Sequence, residues 1–167
     1  MSEILLALDG VHTHIGAYHI LHGVDLVVPK GQLTMLLGRN GAGKTTTLRT
    51  IMGLWHAGPG RITFAGRDIT ALDTPGIAAL KIAYVPETMG IFSDLTVKEN
   101  MLLAARSAAR ASQIDDTRLK WIFSLFPAVE KFWNHPAGKL SGGQKQMLAV
   151  ARAIVEPREL PPARDCD

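Results

Sequence analysis

The sequence predicts an α/β fold: a phosphate-binding loop between a strand and a helix, an antiparallel β part before it, and a helical subdomain after it. Three observations carry this. Gly38-Arg-Asn-Gly-Ala-Gly-Lys44-Thr45 has the spacing of a nucleotide phosphate cradle. Residues 4–8 and 24–28 are strand-length apolar runs, separated by Gly10, Gly16 and Gly23. Beyond about residue 88 the pattern turns to capped, alanine-rich and amphipathic helices.

Each residue type of the loop answers a need of phosphate binding. Gly38, Gly41 and Gly43 lack a Cβ, so the backbone can curl and present successive N–H groups to phosphate oxygens. Lys44 is a compact cation suited to the outer phosphates, and the Thr45 hydroxyl suits Mg²⁺ beside them. Leu33-Thr-Met-Leu-Leu37 predicts a buried strand into the loop. Thr45-Thr-Thr-Leu-Arg-Thr-Ile-Met52 predicts a helix out of it, its positive end toward the anion.

The other elements follow in order. Gly58-Pro-Gly60 is a break, Arg61-Ile-Thr-Phe-Ala65 a strand, and Asp73-Thr74-Pro75 a helix start reaching about Leu80. Lys81-Ile-Ala-Tyr-Val85 predicts a further strand ended by Pro86. Thr96-Val-Lys-Glu99 is a capping box opening a helix through about Ala111. Asp115 and Asp116 can cap another, with Leu119, Ile122, Phe123 and Phe126 on its apolar face.

The 167 residues, 47% hydrophobic and 20% charged, suit one globular domain. The net charge is +3, from 18 basic and 15 acidic residues scattered along the chain, which is no footprint for nucleic acid. Cys166 is the single cysteine, so no intrachain disulfide can form. The start has no signal-peptide pattern, and no run reaches the roughly 20 apolar residues that cross a bilayer. A cytoplasmic location follows as the expectation.

A second motif, Leu140-Ser-Gly-Gly-Gln144, opens the amphipathic helix Lys145-Gln-Met-Leu-Ala-Val-Ala-Arg-Ala-Ile154. A Ser-Gly-Gly turn there offers free N–H groups and an outward hydroxyl to an anion. About a hundred residues after a phosphate loop, with helices between, the pair of motifs is specific. With both in place the chain resembles the ATP-binding cassette (ABC) family over residues 1–160, the first motif matching its Walker A loop and the second its signature. Asn40-Gly-Ala-Gly-Lys-Thr-Thr46, Tyr84-Val-Pro-Glu87, Gly90-Ile-Phe-Ser-Asp-Leu-Thr-Val-Lys-Glu-Asn100 and Gln146-Met-Leu-Ala-Val-Ala-Arg152 are similar to the subunits of branched-chain amino-acid importers.

The resemblance implies a P-loop ATPase core and a helical subdomain near residues 88–139. It implies ATP and Mg²⁺ as cofactors, with Gly38, Arg39, Asn40, Gly41, Ala42, Gly43, Lys44, Thr45 and Thr46 on the phosphates and Thr45 on the metal. Ser141, Gly142, Gly143 and Gln144 would touch ATP held by a second ABC subunit. Membrane permease subunits would dock near residues 87–95, at the inner face of the cell membrane, with a solute-binding protein as an indirect partner. The resemblance makes the activity ATP hydrolysis coupled to import. Translation or DNA-repair cassettes would want a second cassette or a nucleic-acid segment. A small P-loop kinase would want an arginine-rich lid.

The chain departs from the family at Glu87, at the adenine position and at its C-terminal stretch. Glu87 stands where a lysine- or magnesium-contacting glutamine is usual, as glutamate often does in the importer subgroup, and can still accept from water or sit near Mg²⁺ as an oxygen ligand. The adenine-stacking aromatic falls at Ile15, with Tyr18 close enough to substitute. His12 and His14 share a strand face, but without a third ligand they do not predict a metal site. Glu156-Pro-Arg-Glu-Leu160 keeps the pattern, whereas Pro161-Pro-Ala-Arg-Asp-Cys-Asp167 does not, because two prolines forbid a central strand. The Walker B aspartate and the water-activating glutamate are therefore not carried onto Asp165 or Asp167. All six histidines precede the signature, so none takes the family's switch role. The expectation is a partial domain over 1–160 with a non-family tail at 161–167, truncated or frameshifted, with an incomplete core sheet. It should bind nucleotide weakly, or only pair with an intact cassette, and not turn ATP over.

Overall fold

The computed structural model describes residues 3–106 and 114–155. The chain divides into two units, Met1–Ile82 and Ala83–Asp167. In the first, β1 (Ile4–Ile15) and β2 (Tyr18–Pro29) form a long antiparallel hairpin. Two short strands, β3 (Arg61–Phe64) and β4 (Arg67–Asp68), extend it into a sheet of order β2-β1-β3-β4. Of the glycines expected to separate strands, Gly16 does so in the turn between β1 and β2, whereas Gly10 and Gly23 lie inside the strands. Gly10 and Gly23 take φ of 55° and 77° beside shifts of register, so the ladder bulges and continues.

One face of the hairpin carries the unit's core. Leu8 and Val11 pack with Ile62, Ile69 and Ile51, the last from α1 (Lys44–Ile51). Thr13 and Thr50 are both buried, and their hydroxyls meet at 3.0 Å, tying β1 to α1. A short helix, α2 (Thr74–Ala79), begins as expected: the Asp73 carboxylate accepts from the Gly76 N–H at 2.9 Å and Pro75 lies in the first turn.

Two expected strands are not formed. Residues 33–37 and 81–85 are irregular, and Leu33 and Leu37 are 91% and 80% exposed. A buried strand needs neighbours to satisfy its N–H and C=O groups. Among the described residues no strand pairs with either run. The described part of the α/β fold is thus its antiparallel sheet and its helices.

The second unit is helical. Thr96 and Glu99 cap α3 (Val97–Arg106) reciprocally: the Thr96 N–H donates to Glu99 Oε2 at 2.8 Å, and the Glu99 N–H donates to Thr96 Oγ1 at 3.2 Å. The stretch 107–111 of that expected helix lies outside the described residues. Asp115 caps α4 (Asp116–Leu125) through the Arg118 N–H at 2.9 Å. Pro127 then opens α5 (Pro127–Lys131), an element not anticipated from the sequence. A 3₁₀ turn, Ala137–Lys139, leads to α6 (Gly142–Ala153). Val97, Met101, Ile122, Val129, Leu140 and Leu148 form the core, with Phe123 and Phe126 packed against it.

Candidate functional site

The phosphate loop occupies exposed backbone between the β2 end and α1. Gly41 and Gly43 take φ of 86° and 85°, a region in which other side chains are strained. At Gly43 the need is double, because a Cβ would lie 2.8 Å from Leu21 Cδ2 on β2. Gly43 is also the N-cap of α1, and no side chain accepts from the first-turn N–H groups. Those amides remain donors for an anion, at the positive end of the helix. Lys44 Nζ donates to the carbonyls of Gly38 at 2.7 Å and Arg39 at 2.8 Å. The Ala42 N–H donates to the Arg39 carbonyl at 3.1 Å, closing the turn. Thr45 is exposed and Thr46 half-buried at the helix start. Thr47 Oγ1 donates to the Gly43 carbonyl at 2.9 Å. Arg39, Asn40 and Ala42 are exposed along the turn.

Ile15 and Tyr18 face each other across the hairpin turn as register partners. Ile15 is half-buried, whereas Tyr18 is 75% exposed, so its ring face is open to a ligand. The same hairpin holds a cluster that the sequence did not reveal. Strand pairing brings His19 and His22 to His12 and His14. The rings of His14 and His19 stack with centroids 4.0 Å apart, those of His19 and His22 lie at 3.8 Å, and His12 Nδ1 sits 3.0 Å from His19 Nε2. Burial first, then the neighbouring His22 and His14, hold the His19 pKa below the usual imidazole value, against a hydrogen bond that the ring donates to the Leu21 backbone. Among the described residues no three His, Cys, Asp or Glu groups are arranged to hold a metal ion. The register of the hairpin was the missing signal.

In the second unit, Ser141 is the N-cap of α6, and its turn is built differently from the expectation. The serine hydroxyl does not point outward. It accepts from the Gln144 N–H at 3.3 Å, while Gln144 Oε1 accepts from the Ser141 N–H at 2.8 Å. A capping glutamine three residues on draws the hydroxyl back over the helix end. Gly142 and Gly143 are exposed, with open space where a Cβ would stand. Among the described residues nothing requires glycine at either position. Glu87 is exposed at the start of the turn over residues 87–90. Residues 156–167, including Asp165 and Asp167, lie outside the described residues. No helix of the described residues is long and apolar enough to cross a membrane.

Residues 21–161 match the ABC transporter family. The chain is similar to the high-affinity branched-chain amino acid transport ATP-binding protein BraG of Pseudomonas aeruginosa, at 36% identity over 158 residues, covering 93% of this chain. It is 39% identical over 137 residues, 82% of its length, to the probable branched-chain amino acid transport ATP-binding protein LivF of Archaeoglobus fulgidus. The sulfate/thiosulfate import ATP-binding protein CysA of Bordetella pertussis shares 37% over 160 residues, 93% of this chain. The chain spans 66%, 57% and 44% of these relatives' own lengths. A solved ATP-binding subunit of an ABC transporter superposes with TM-score 0.77 at 29% identity, over 90% of this chain and 62% of that one.

Proposed function

This chain belongs to the ABC transporter family, and on that footing we propose that it binds ATP at residues 38–46 as the ATP-binding part of an importer. The observation that carries the reading is the start of α1. There an exposed loop with two left-handed glycines meets first-turn amides that no side chain caps, beside a lysine. Lys44 would leave the carbonyls of Gly38 and Arg39 for the outer phosphates. Thr45 would hold Mg²⁺ through its hydroxyl, and the metal would neutralise phosphate charge. Glu87 is the candidate for a further oxygen near it. Tyr18 offers the open face for adenine, with Ile15 opposite it.

Ser141, Gly142, Gly143 and Gln144 would meet ATP carried by a second ABC subunit. Support comes from the open space around Gly142 and Gly143, which lets an outside group approach the α6 amides. We assign water activation to none of the described residues, so hydrolysis is a property proposed for the whole protein. Membrane permease subunits would meet the helical part, proposed to run from about residue 88 to 139, near residues 87–95. This would place the chain at the inner face of the membrane, with a solute-binding protein acting through the permeases. Branched-chain amino acids are the proposed cargo, on the two relatives named for that transport and on the subgroup motifs. A sulfate/thiosulfate relative of comparable identity makes inorganic anions the competing cargo.

Titration with a fluorescent ATP analogue and Mg²⁺ tests the binding reading. Lys44→Ala should weaken binding about tenfold or more, the scale of a lost charged hydrogen bond in a phosphate site, with unfolding unchanged. Equal affinity in the two proteins would refute it.

A further inference from the structure

The last turn of α6 carries an arginine that the phosphate-site reading leaves unused. Arg152 Nη1 donates to the Gly90 carbonyl, and its Cζ lies 5.4 Å from the centroid of the Phe92 ring. Among the described residues no carboxylate forms a salt bridge with it, and its Nε is buried without a partner. Putting a charge against a single carbonyl and a ring is costly, so its position needs more explanation than surface solvation. The same loop is held from its other side. Asn100, fully buried on α3, accepts from the Phe92 N–H at 3.0 Å. It also donates to the Phe92 carbonyl at 2.9 Å and the Thr96 carbonyl at 3.0 Å. Phe92 is thus clamped at its backbone by Asn100 and over its ring by Arg152, yet its side chain is half exposed.

We propose that Arg152 is a positioning residue that, with Asn100, fixes the loop over residues 90–95 in one shape, so that this surface is set by the helix that begins at Ser141. The inference rests on the importer reading, in which that loop meets a membrane subunit and Ser141 faces a nucleotide. Arg152 lies eleven positions after Ser141, close to three full turns, which places both on nearly the same face about 16 Å apart. Leu148, Ala149 and Ala151 are buried between them, so the helix is anchored along its length. Displacement of the Ser141 end would then reach the loop through one rigid element and one tether.

Hydrogen exchange on the free protein tests this. The Phe92 amide, bonded to Asn100, and the Leu95 amide, bonded to the Phe92 carbonyl at 3.3 Å, report the loop. Arg152→Met keeps the stem but removes the donors and the charge. Exchange over residues 89–95 should rise about tenfold or more while α6 and the unfolding transition stay as in the parent. Arg152→Lys keeps a cation and a donor without the fork and should restore part of the protection. Packing alone predicts that Met and Lys behave alike, and that result would overturn the proposal. So would an unchanged loop in Arg152→Met, or an equal rise across α3 and α6. Nucleotide affinity measured on the same variants should not change. Its absence in the parent would strike at the functional reading and leave the tether standing.

Discussion

The hydroxyl pair between Thr13 and Thr50 gives the sharpest test of how the phosphate-loop helix is held. Both residues are buried, at 0% and 3% exposure, and each hydroxyl's described partner is the other. Thr50→Val preserves shape but strands the Thr13 hydroxyl in the interior. Leaving a buried polar group unsatisfied costs about 1–3 kcal/mol. Replacing both residues by valine removes donor and acceptor together and should be close to neutral, because no unsatisfied group remains. The double variant should therefore be more stable than either single, a non-additivity of about 1–3 kcal/mol. Urea unfolding followed by Trp55 emission reads it, in a background where Trp121 and Trp133 are phenylalanine so that only the first unit reports. A double variant as unstable as the sum of its singles would show that packing around the methyl groups, not the hydroxyl pair, holds β1 to α1.

Other consequences are as direct. Gly43→Ala must hold φ near 85° against a Leu21 methyl at 2.8 Å; a left-handed non-glycine residue alone costs about 1–2 kcal/mol. Titration with a fluorescent ATP analogue should show weakened binding, and Leu21→Val, which removes the clashing carbon, should recover part of it. Arg118 donates through Nε and Nη2 to the Ile154 carbonyl at 3.0 and 2.8 Å and lies over Trp121. Arg118→Ala should cost about 1.5–3 kcal/mol in urea unfolding and raise exchange at the end of α6, with Arg118→Lys recovering only part. His19 has a lowered pKa in the folded chain, so the unfolded chain takes up the proton first as pH falls. Stability from this group is full above the ordinary imidazole value and is lost as pH falls through it toward the folded one. The urea midpoint of the first unit should drop on acidification, and His19→Gln should flatten that drop.

Local signals translated into structure faithfully. The Thr96–Glu99 box and the Asp73 and Asp115 caps formed where the residues stand, whereas at Ser141 the helix start formed but Gln144 draws the hydroxyl back instead of leaving it outward. Each depends on groups three residues apart, so the sequence contains the whole interaction. The failures are non-local. Leu33-Thr-Met-Leu-Leu37 has the composition of a strand, but a strand also needs a neighbour, and composition does not supply one. Gly10 and Gly23 read as stops because a bulge and a turn use the same glycine conformation; only the partner strand distinguishes them. The histidine cluster stayed hidden for a related reason, since His12 and His22 become neighbours only through the register of the hairpin. At the phosphate loop the glycine spacing was readable, whereas the steric demand of Leu21 on Gly43 was not.

The two carbonyls that hold Lys44 Nζ have a consequence for anion binding. An ammonium that turns toward an incoming anion gives up two neutral acceptors, whatever the anion is. A small monovalent ion offers little in exchange, because it meets the lysine but few of the α1 amides. A polyphosphate would engage both at once and would carry more charge to each. The tie thus lowers the affinity for every anion by the same amount, so only a ligand that gains from the lysine and the α1 amides together would offset it in full.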